Sequence, residues 1–180
     1  MKLMAMTVKP WQWGNVPGHE MATPVKGDVV AKLVKAAKRP LLIVGGASLK
    51  EKLGGKLLID FAAELAKAGI PTVATAHVYK ALKDRGVEPA AIMTVADVTN
   101  RLQDPNWSVD GKGPHDLVIY MGVSYQLQSQ MLSTLKHFAT HLRTLSLDRY
   151  FHPNATYSMP NLKEDEWEQA LNNVIALLKS

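Results

Sequence analysis

Cysteine is absent from all 180 residues of the chain. This absence excludes disulfides, thiol nucleophiles, thiolate zinc sites and cysteine-ligated iron–sulfur clusters. Redox chemistry in which this chain takes part must therefore rely on groups borrowed from elsewhere.

Long apolar runs are absent as well. No run approaches the roughly 18 residues that a membrane-spanning helix requires, and the apolar stretch after Lys2 is too short for the core of a signal peptide. We therefore expect no membrane association and a cytoplasmic location.

Recognised catalytic motifs are missing too. The sequence contains neither HExxH nor GxSxG, and its one histidine pair at helical spacing, His137 and His141, lies where a helix is predicted to end. No nucleophile, base and acid can be assembled from their spacing. We expect no bound metal and no catalytic residue, which favours a binding or partner subunit over a free-standing enzyme.

The composition is that of one globular domain. With 47% hydrophobic residues, a chain of 180 residues buries roughly 70% of its unfolded surface. The net charge of +5 comes from 21 basic and 16 acidic residues spread along the chain. Because the basic residues form no run, we predict a solvated basic surface and no nucleic-acid face.

The chain divides into an arm and a domain. Residues 1–26 show no sustained period and contain three prolines, together with Trp11 and Trp13. These tryptophans either anchor the chain to a partner or pack on their own domain. The domain is predicted to span residues 27–180.

Apolar strands alternate with amphipathic helices in the domain. Strands are predicted at 41–44, 71–76, 117–122 and 142–148, and helices at 28–39, 55–69, 125–139 and 163–179. The stretch 77–103 is ambiguous, with a short strand at 90–95 and a helix at 95–102 as its interpretation. The alternation predicts right-handed βαβ units in a three-layer α/β/α Rossmann-like fold with a parallel sheet.

Ligands of such sheets bind beyond the carboxyl ends of the strands. This rule draws attention to four short segments that follow predicted strands. They are 45–48, 75–77, 122–125 and 148–150.

The first of these segments begins with two glycines. Gly45, Gly46, Ala47 and Ser48 match neither GxGxxG nor the P-loop signature. A strand-to-helix turn without side-chain bulk nevertheless exposes backbone N–H groups and the positive end of a helix dipole, which suits a phosphate. The alternative is that the glycines only allow a tight turn and close packing.

The remaining segments extend this candidate site. Gly122, Val123 and Ser124 form a second turn that could face the first across a crevice, and Thr75 ends a third strand. Asp148 follows a later strand, where an acid either accepts hydrogen bonds from a ribose or caps the next turn.

Several stretches together resemble a known family. The turn-rich segment "DPNWSVDGKGPHDLVIYMG" at 104–122 and "SLDRYFHPNATYSMPNL" at 146–162, with 38–48 and 69–75 in the same order, look like the epsilon subunit of the archaeal acetyl-CoA decarbonylase/synthase. The resemblance covers about residues 24–178. The layout more loosely resembles the DHS-like NAD/FAD-binding fold of thiamine-diphosphate enzymes, sirtuins and deoxyhypusine synthase, although a sirtuin would need zinc thiolates.

The resemblance implies a function. It implies a small accessory subunit that pairs with a large alpha subunit, two of each, where alpha carries the nickel–iron–sulfur cluster of carbon monoxide dehydrogenase. Stabilisation of alpha and assistance in electron transfer to FAD are the implied roles. The alternative is an FAD- or ADP-binding electron-transfer module. Its cofactor would lie over Gly45, Gly46, Ala47, Ser48, Thr75, Gly122, Val123, Ser124 and Asp148.

Overall fold

A seven-stranded sheet, parallel at every pairing, forms the centre of the computed structural model, which describes residues 21–180. Its strand order is β1-β9-β8-β7-β2-β5-β6, and a separate antiparallel hairpin is made by β3 and β4. The strands are β1 (Thr23–Pro24), β2 (Pro40–Val44), β3 (Lys52–Leu53), β4 (Lys56–Leu57), β5 (Thr72–Ala74), β6 (Ala91–Ile92), β7 (Leu117–Met121), β8 (Arg143–Ser146) and β9 (Tyr157–Ser158).

Helices cover both faces of this sheet. They are α1 (Gly27–Ala36), α2 (Leu58–Lys67), α3 (Ala76–Lys83), α4 (Val95–Arg101), α5 (Tyr125–Phe138) and α6 (Glu164–Lys179), with a short 3₁₀ helix at Gly46–Leu49. The core therefore divides in two. Helices α1, α2, α3 and α6 pack on one face, and α4 and α5 pack on the other.

The alternation of side chains along β2 shows how one strand supplies both halves of the core. Leu42 and Val44 face the first group of helices, whereas Leu41 and Ile43 face the second. A central parallel strand covered on both faces needs apolar residues at every position. The short run "LLIV" meets this requirement, and the predicted three-layer α/β/α fold is confirmed.

The structure differs from the sequence predictions in three places. Helix α1 spans Gly27–Ala36 with Lys26 as its N-cap, so it begins one residue before the predicted helix 28–39 and ends earlier. Helix α3 lies at the start of the ambiguous stretch 77–103. After Gly45 the chain forms only the short 3₁₀ helix and then the β3–β4 hairpin, and the first long helix, α2, begins at Leu58.

The end of the predicted arm joins the sheet. Strand β1 pairs in parallel with β9, with Thr23 opposite Tyr157, and Ala22 and Val25 beside it are buried. Trp11 and Trp13 lie outside the described residues. None of the helices within residues 21–180 combines the length and apolar character needed to cross a bilayer.

Candidate functional site

The two glycine turns meet at the carboxyl edge of the sheet. Gly45 follows β2 and Gly122 follows β7, and these strands are neighbours with Val44 opposite Met121. The Gly45 N–H donates to the Met121 carbonyl at 3.0 Å, and the Ala47 N–H donates to the Gly122 carbonyl at 2.9 Å. The turns are thus bonded directly to each other, and no crevice separates them.

This contact requires glycine at two positions. A Cβ on Gly45 would lie 2.5 Å from the Gly122 carbonyl oxygen, and one on Gly122 would lie 2.7 Å from the Ser48 Cβ. Gly122 also has φ +68°, a conformation that other residues rarely adopt. A Cβ on Gly46 would meet only the His77 Cβ at 3.9 Å. Close packing therefore accounts for Gly45 and Gly122, but Gly46 is free of this constraint.

The same contacts bear on FAD, the cofactor that the resemblance implies. The N–H groups of Gly45 and Ala47 already donate hydrogen bonds within the protein. The Ser48 N–H does so too, to the Gly45 carbonyl at 3.2 Å. The helix that follows has only four residues, so it offers little dipole to a phosphate. The first glycine turn therefore has few N–H groups left for the pyrophosphate of a dinucleotide.

A small cavity opens beside the turns. Its volume is about 260 Å³, below the roughly 300–1,000 Å³ that encloses drug-sized ligands. Of the predicted site residues, Ala47, Val123, Ser124 and Asp148 line it. The structure thus brings part of the predicted site together around a space that is smaller than FAD needs.

The other predicted residues lie behind or beside this cavity. Ser48 is buried, and its hydroxyl donates to the Gly45 carbonyl at 2.7 Å. Thr75 is the N-cap of α3 on the neighbouring strand, where its Oγ1 is buried without a partner among residues 21–180. Neither hydroxyl belongs to the cavity wall.

Asp148 is the deepest charged group of the site. Its Oδ1 accepts the Gly122 N–H at 2.9 Å, so the acid tethers the second glycine turn from the neighbouring strand. Burial raises the pKa of Asp148 to about 7, although the Gly122 hydrogen bond opposes the change, and the charge of Glu51 raises it further. The carboxyl group therefore changes its charge near neutral pH.

His152 faces Asp148 across the cavity wall. The ring is 1% exposed, and its Nε2 lies 3.8 Å from Asp148 Oδ2, too far for a hydrogen bond. Burial lowers the pKa of His152 to about 4, so the ring is neutral at pH 7 and the contact is not an ion pair. The Tyr125 ring stacks on the imidazole with centroids 4.3 Å apart, and its hydroxyl donates to the Phe151 carbonyl.

Sequence reasoning missed His152 and Glu51 as members of this site, and it included Tyr125 only as the end of the segment 122–125. Their positions in the sequence were the available signal. Tyr125 begins the helix after the second glycine turn, and His152 lies four residues after Asp148. Glu51 reaches the cavity only because the 3₁₀ helix turns the chain back. No periodic pattern in the sequence predicts this turn.

The loop 104–116 lies at the opposite, amino edge of the sheet and is fastened to Arg39. The Arg39 guanidinium pairs with Asp110, its carbonyl contacts His115 Nδ1 at 3.2 Å, and its N–H donates to Asp116 at 2.8 Å. Although desolvation opposes the change, hydrogen bonds from Lys112 N–H, the Ser108 hydroxyl and Arg39 lower the pKa of Asp110 to about 2. This loop is held by internal pairs.

Comparison with known proteins now identifies the family. The sequence model of the family described as "CO dehydrogenase beta subunit/acetyl-CoA synthase epsilon subunit" matches residues 4–175. The chain belongs to this family.

Curated relatives of the epsilon subunit family agree over nearly their whole length. The chain is 37% identical to the acetyl-CoA decarbonylase/synthase complex subunit epsilon of Methanothermobacter thermautotrophicus, covering 93% of this chain and 94% of the relative. It is 38% identical to the subunit epsilon of Methanothrix soehngenii, covering 94% and 91%. It is 39% identical to subunit epsilon 1 of Archaeoglobus fulgidus, covering 88% and 85%. The resemblance read from the sequence is thereby confirmed.

Membership of the epsilon subunit family says nothing about the DHS-like group or about a bound nucleotide. Both stay predictions. Among residues 21–180, no three histidine or acidic side chains are placed so that they could hold a metal ion together. Within the described part of the chain, the buried polar atoms without a partner include His152 Nδ1 and Gln128 Oε1 near Asp148, and also Arg39 Nε and Thr75 Oγ1 elsewhere.

Proposed function

We propose that this chain is an accessory, non-catalytic subunit of an acetyl-CoA decarbonylase/synthase complex. In this proposal it binds and stabilises a large alpha subunit that carries the metal cluster of carbon monoxide dehydrogenase, with two copies of each chain. The observation that supports it most is the match to relatives named as subunit epsilon of this complex over 93% of the chain.

The chemistry of the chain is consistent with an accessory role. It has no cysteine with which to ligate an iron–sulfur cluster. His152 has a pKa of about 4, so it is a weak base near neutral pH, and no serine, threonine or tyrosine hydroxyl within residues 21–180 donates to its ring. His152 is therefore poorly placed to activate a hydroxyl nucleophile.

Co-purification tests the proposal. We expect tagged chain, co-expressed with the large metal-bearing subunit, to elute with it from gel filtration as one species whose mass corresponds to two copies of each. The complex should also keep its carbon monoxide oxidation activity longer on heating than the large subunit alone, because binding to the folded state stabilises it. Separate elution at micromolar concentration would overturn the proposal.

Binding of FAD, and with it electron transfer to FAD, stays a prediction. The occupied N–H groups of the first glycine turn and the small cavity weigh against it. Titration calorimetry with FAD and with ADP, on the chain alone and in complex, tests it directly. Uptake by the wild-type chain that Gly46→Val weakens by tenfold or more would support it. No uptake in either state would exclude it.

A further inference from the structure

The base of the cavity offers hydrogen-bond acceptors that the protein leaves unused. Asp148 Oδ1 accepts the Gly122 N–H at 2.9 Å, and the Gln128 side chain also bonds to the carboxyl group. Oδ2 receives a long hydrogen bond of 3.5 Å from the Ser146 hydroxyl, and His152 Nε2 approaches it at 3.8 Å. Because a carboxylate oxygen can accept more than one hydrogen bond, Oδ2 has lone-pair capacity left for a further donor.

Two neighbouring side chains add further unsatisfied atoms. His152 is 1% exposed, and its Nδ1 has no partner within residues 21–180. As a neutral ring it presents one acceptor nitrogen. Gln128 donates to the Ser146 hydroxyl at 2.9 Å while its own Oε1 is buried without a partner. Buried polar atoms are normally paired, so a cluster of unpaired ones beside a cavity indicates a missing donor.

The cavity lining holds one more acidic group than basic groups. Asp148, Glu51 and Glu164 are the acids, and burial raises the pKa of Glu51 although the charge of Arg149 opposes the change. Lys52 and Arg149 are the opposing cations. The Arg149 Nε donates to the Leu162 carbonyl at 3.0 Å and its guanidinium lies 5.6 Å from the Tyr150 ring centre, which keeps it at the rim.

The walls suit an organic cation more than a metal ion. Tyr125, Tyr150 and Trp167 contribute aromatic surface, and aromatic faces attract guanidinium and ammonium groups. Tyr150 is 57% exposed at the rim of the cavity. An exposed tyrosine is typical of a surface that a binding partner covers. A volume of about 260 Å³ accommodates a side chain but not a large ligand.

We propose that this cavity receives a guanidinium or ammonium side chain of the large subunit, which pairs with Asp148 at the base between the aromatic walls. The proposal rests on the proposed function, since it assumes that the chain docks on such a subunit. It adds the place of contact and the chemistry of the partner's anchoring residue.

Docking of this kind is linked to pH. Because the free chain holds Asp148 with a pKa of about 7, the carboxyl group is largely protonated at lower pH, and only its ionised form pairs with a cation. The groups that face it are Glu51, Lys52, Arg149 and Glu164 at the mouth, and, around the base, His152, Tyr125 and Tyr150. His152 is already neutral above its pKa of about 4, so Asp148 is the group whose titration governs the step near neutral pH.

The experiment measures the dissociation constant of the chain and the purified, metal-loaded large subunit at about pH 6 and about pH 8. We expect the wild-type constant to be roughly tenfold lower at the higher pH, because the ionised fraction of Asp148 rises about tenfold. Asp148→Asn keeps an Oδ1 acceptor for the Gly122 N–H. It should bind more weakly than wild type already at pH 6 and show no tightening at pH 8.

Asp116→Asn is the matched control. Asp116 lies at the other edge of the sheet, where despite desolvation its hydrogen bonds from Lys38 and Arg39 N–H lower its pKa, so it stays ionised over this range. This variant should keep the tenfold tightening. A complex whose affinity is independent of pH, or which Asp148→Asn leaves unchanged at pH 8, overturns this inference and leaves the accessory role standing. No complex at either pH overturns both.

Discussion

The pKa values of acidic groups shift in opposite directions at the amino and carboxyl edges of the sheet. At the amino edge, Asp110 pairs with Arg39 and accepts two further hydrogen bonds, which together hold its pKa at about 2. At the carboxyl edge, Asp148 is buried without a cation, and burial raises its pKa to about 7. The first carboxyl group stabilises the fold, whereas the second destabilises it when ionised.

This difference separates structural polar groups from functional ones. The loop 104–116 carries much of the sequence resemblance to the epsilon subunit family, yet its polar atoms are largely satisfied within the chain. In the segment after β8, His152 lines the cavity with its Nδ1 unpaired among residues 21–180, and Gln128 Oε1 on α5 is likewise unpaired there. Perturbed groups in a cleft are the ones to expect at a binding site.

The largest effect is expected where the two glycine turns meet at the carboxyl edge. Gly45→Ala places a Cβ 2.5 Å from the Gly122 carbonyl oxygen, so the strands β2 and β7 must shift. We expect the free energy of unfolding to fall by about 3 kcal/mol. Urea denaturation measures it. Gly46→Ala is the control, since its Cβ meets only His77 at 3.9 Å, and it should change stability by less than about 0.5 kcal/mol. Equal losses would refute the packing role.

A stabilisation of intermediate size is expected from Asp148→Asn. Because the folded pKa of about 7 lies above the unfolded value of about 4, the native chain binds more protons between these values, and its stability falls as pH rises through them. Removing the carboxyl should raise the free energy of unfolding on the order of 2 kcal/mol at pH 8 and change it little near pH 4. Urea denaturation across this range measures the effect, and a loss of stability at pH 8 would contradict it.

Asp110→Asn at the amino edge is expected to change the free energy of unfolding in the opposite direction and by a smaller amount. The lowered pKa of Asp110 contributes stability that is present above pH 4 and lost as pH falls towards 2. The pair is partly exposed, so the variant should lose only about 1 kcal/mol at pH 7. Acid titration followed by circular dichroism should show a shallower transition in the variant. Asp104→Asn, in the same loop but without an ion pair among residues 21–180, is the control and should lose less stability at pH 7 than Asp110→Asn.

The sequence allowed most of the fold to be predicted because the long elements carry strong periods. Strands β2 and β7 are continuous apolar runs, and α5 and α6 have clear apolar stripes. Strands of two residues, such as β1, β6 and β9, are too short to show any alternation, so their place in the sheet follows only from tertiary pairing.

The candidate site was predictable in position but not in chemistry. Asp148 was identified because acids after parallel strands often face ligands. That its Oδ1 would accept the Gly122 N–H depends on the register of β7 against β8, which a single sequence does not encode in any short motif. The register of β2 against β7 brings the two glycine turns together in the same way.

Docking of the partner subunit at the carboxyl edge, and not at the amino edge, is the central prediction. Two exposed aromatic residues allow a direct comparison: Tyr150 is 57% exposed at the rim of the cavity, and Phe138 is 69% exposed at the end of α5, just before the amino edge at β8. The decisive measurement is the dissociation constant of the complex with Tyr150→Ser and with Phe138→Ser. We predict that Tyr150→Ser weakens binding tenfold or more and that Phe138→Ser changes it less than about twofold. The reverse result would contradict the account.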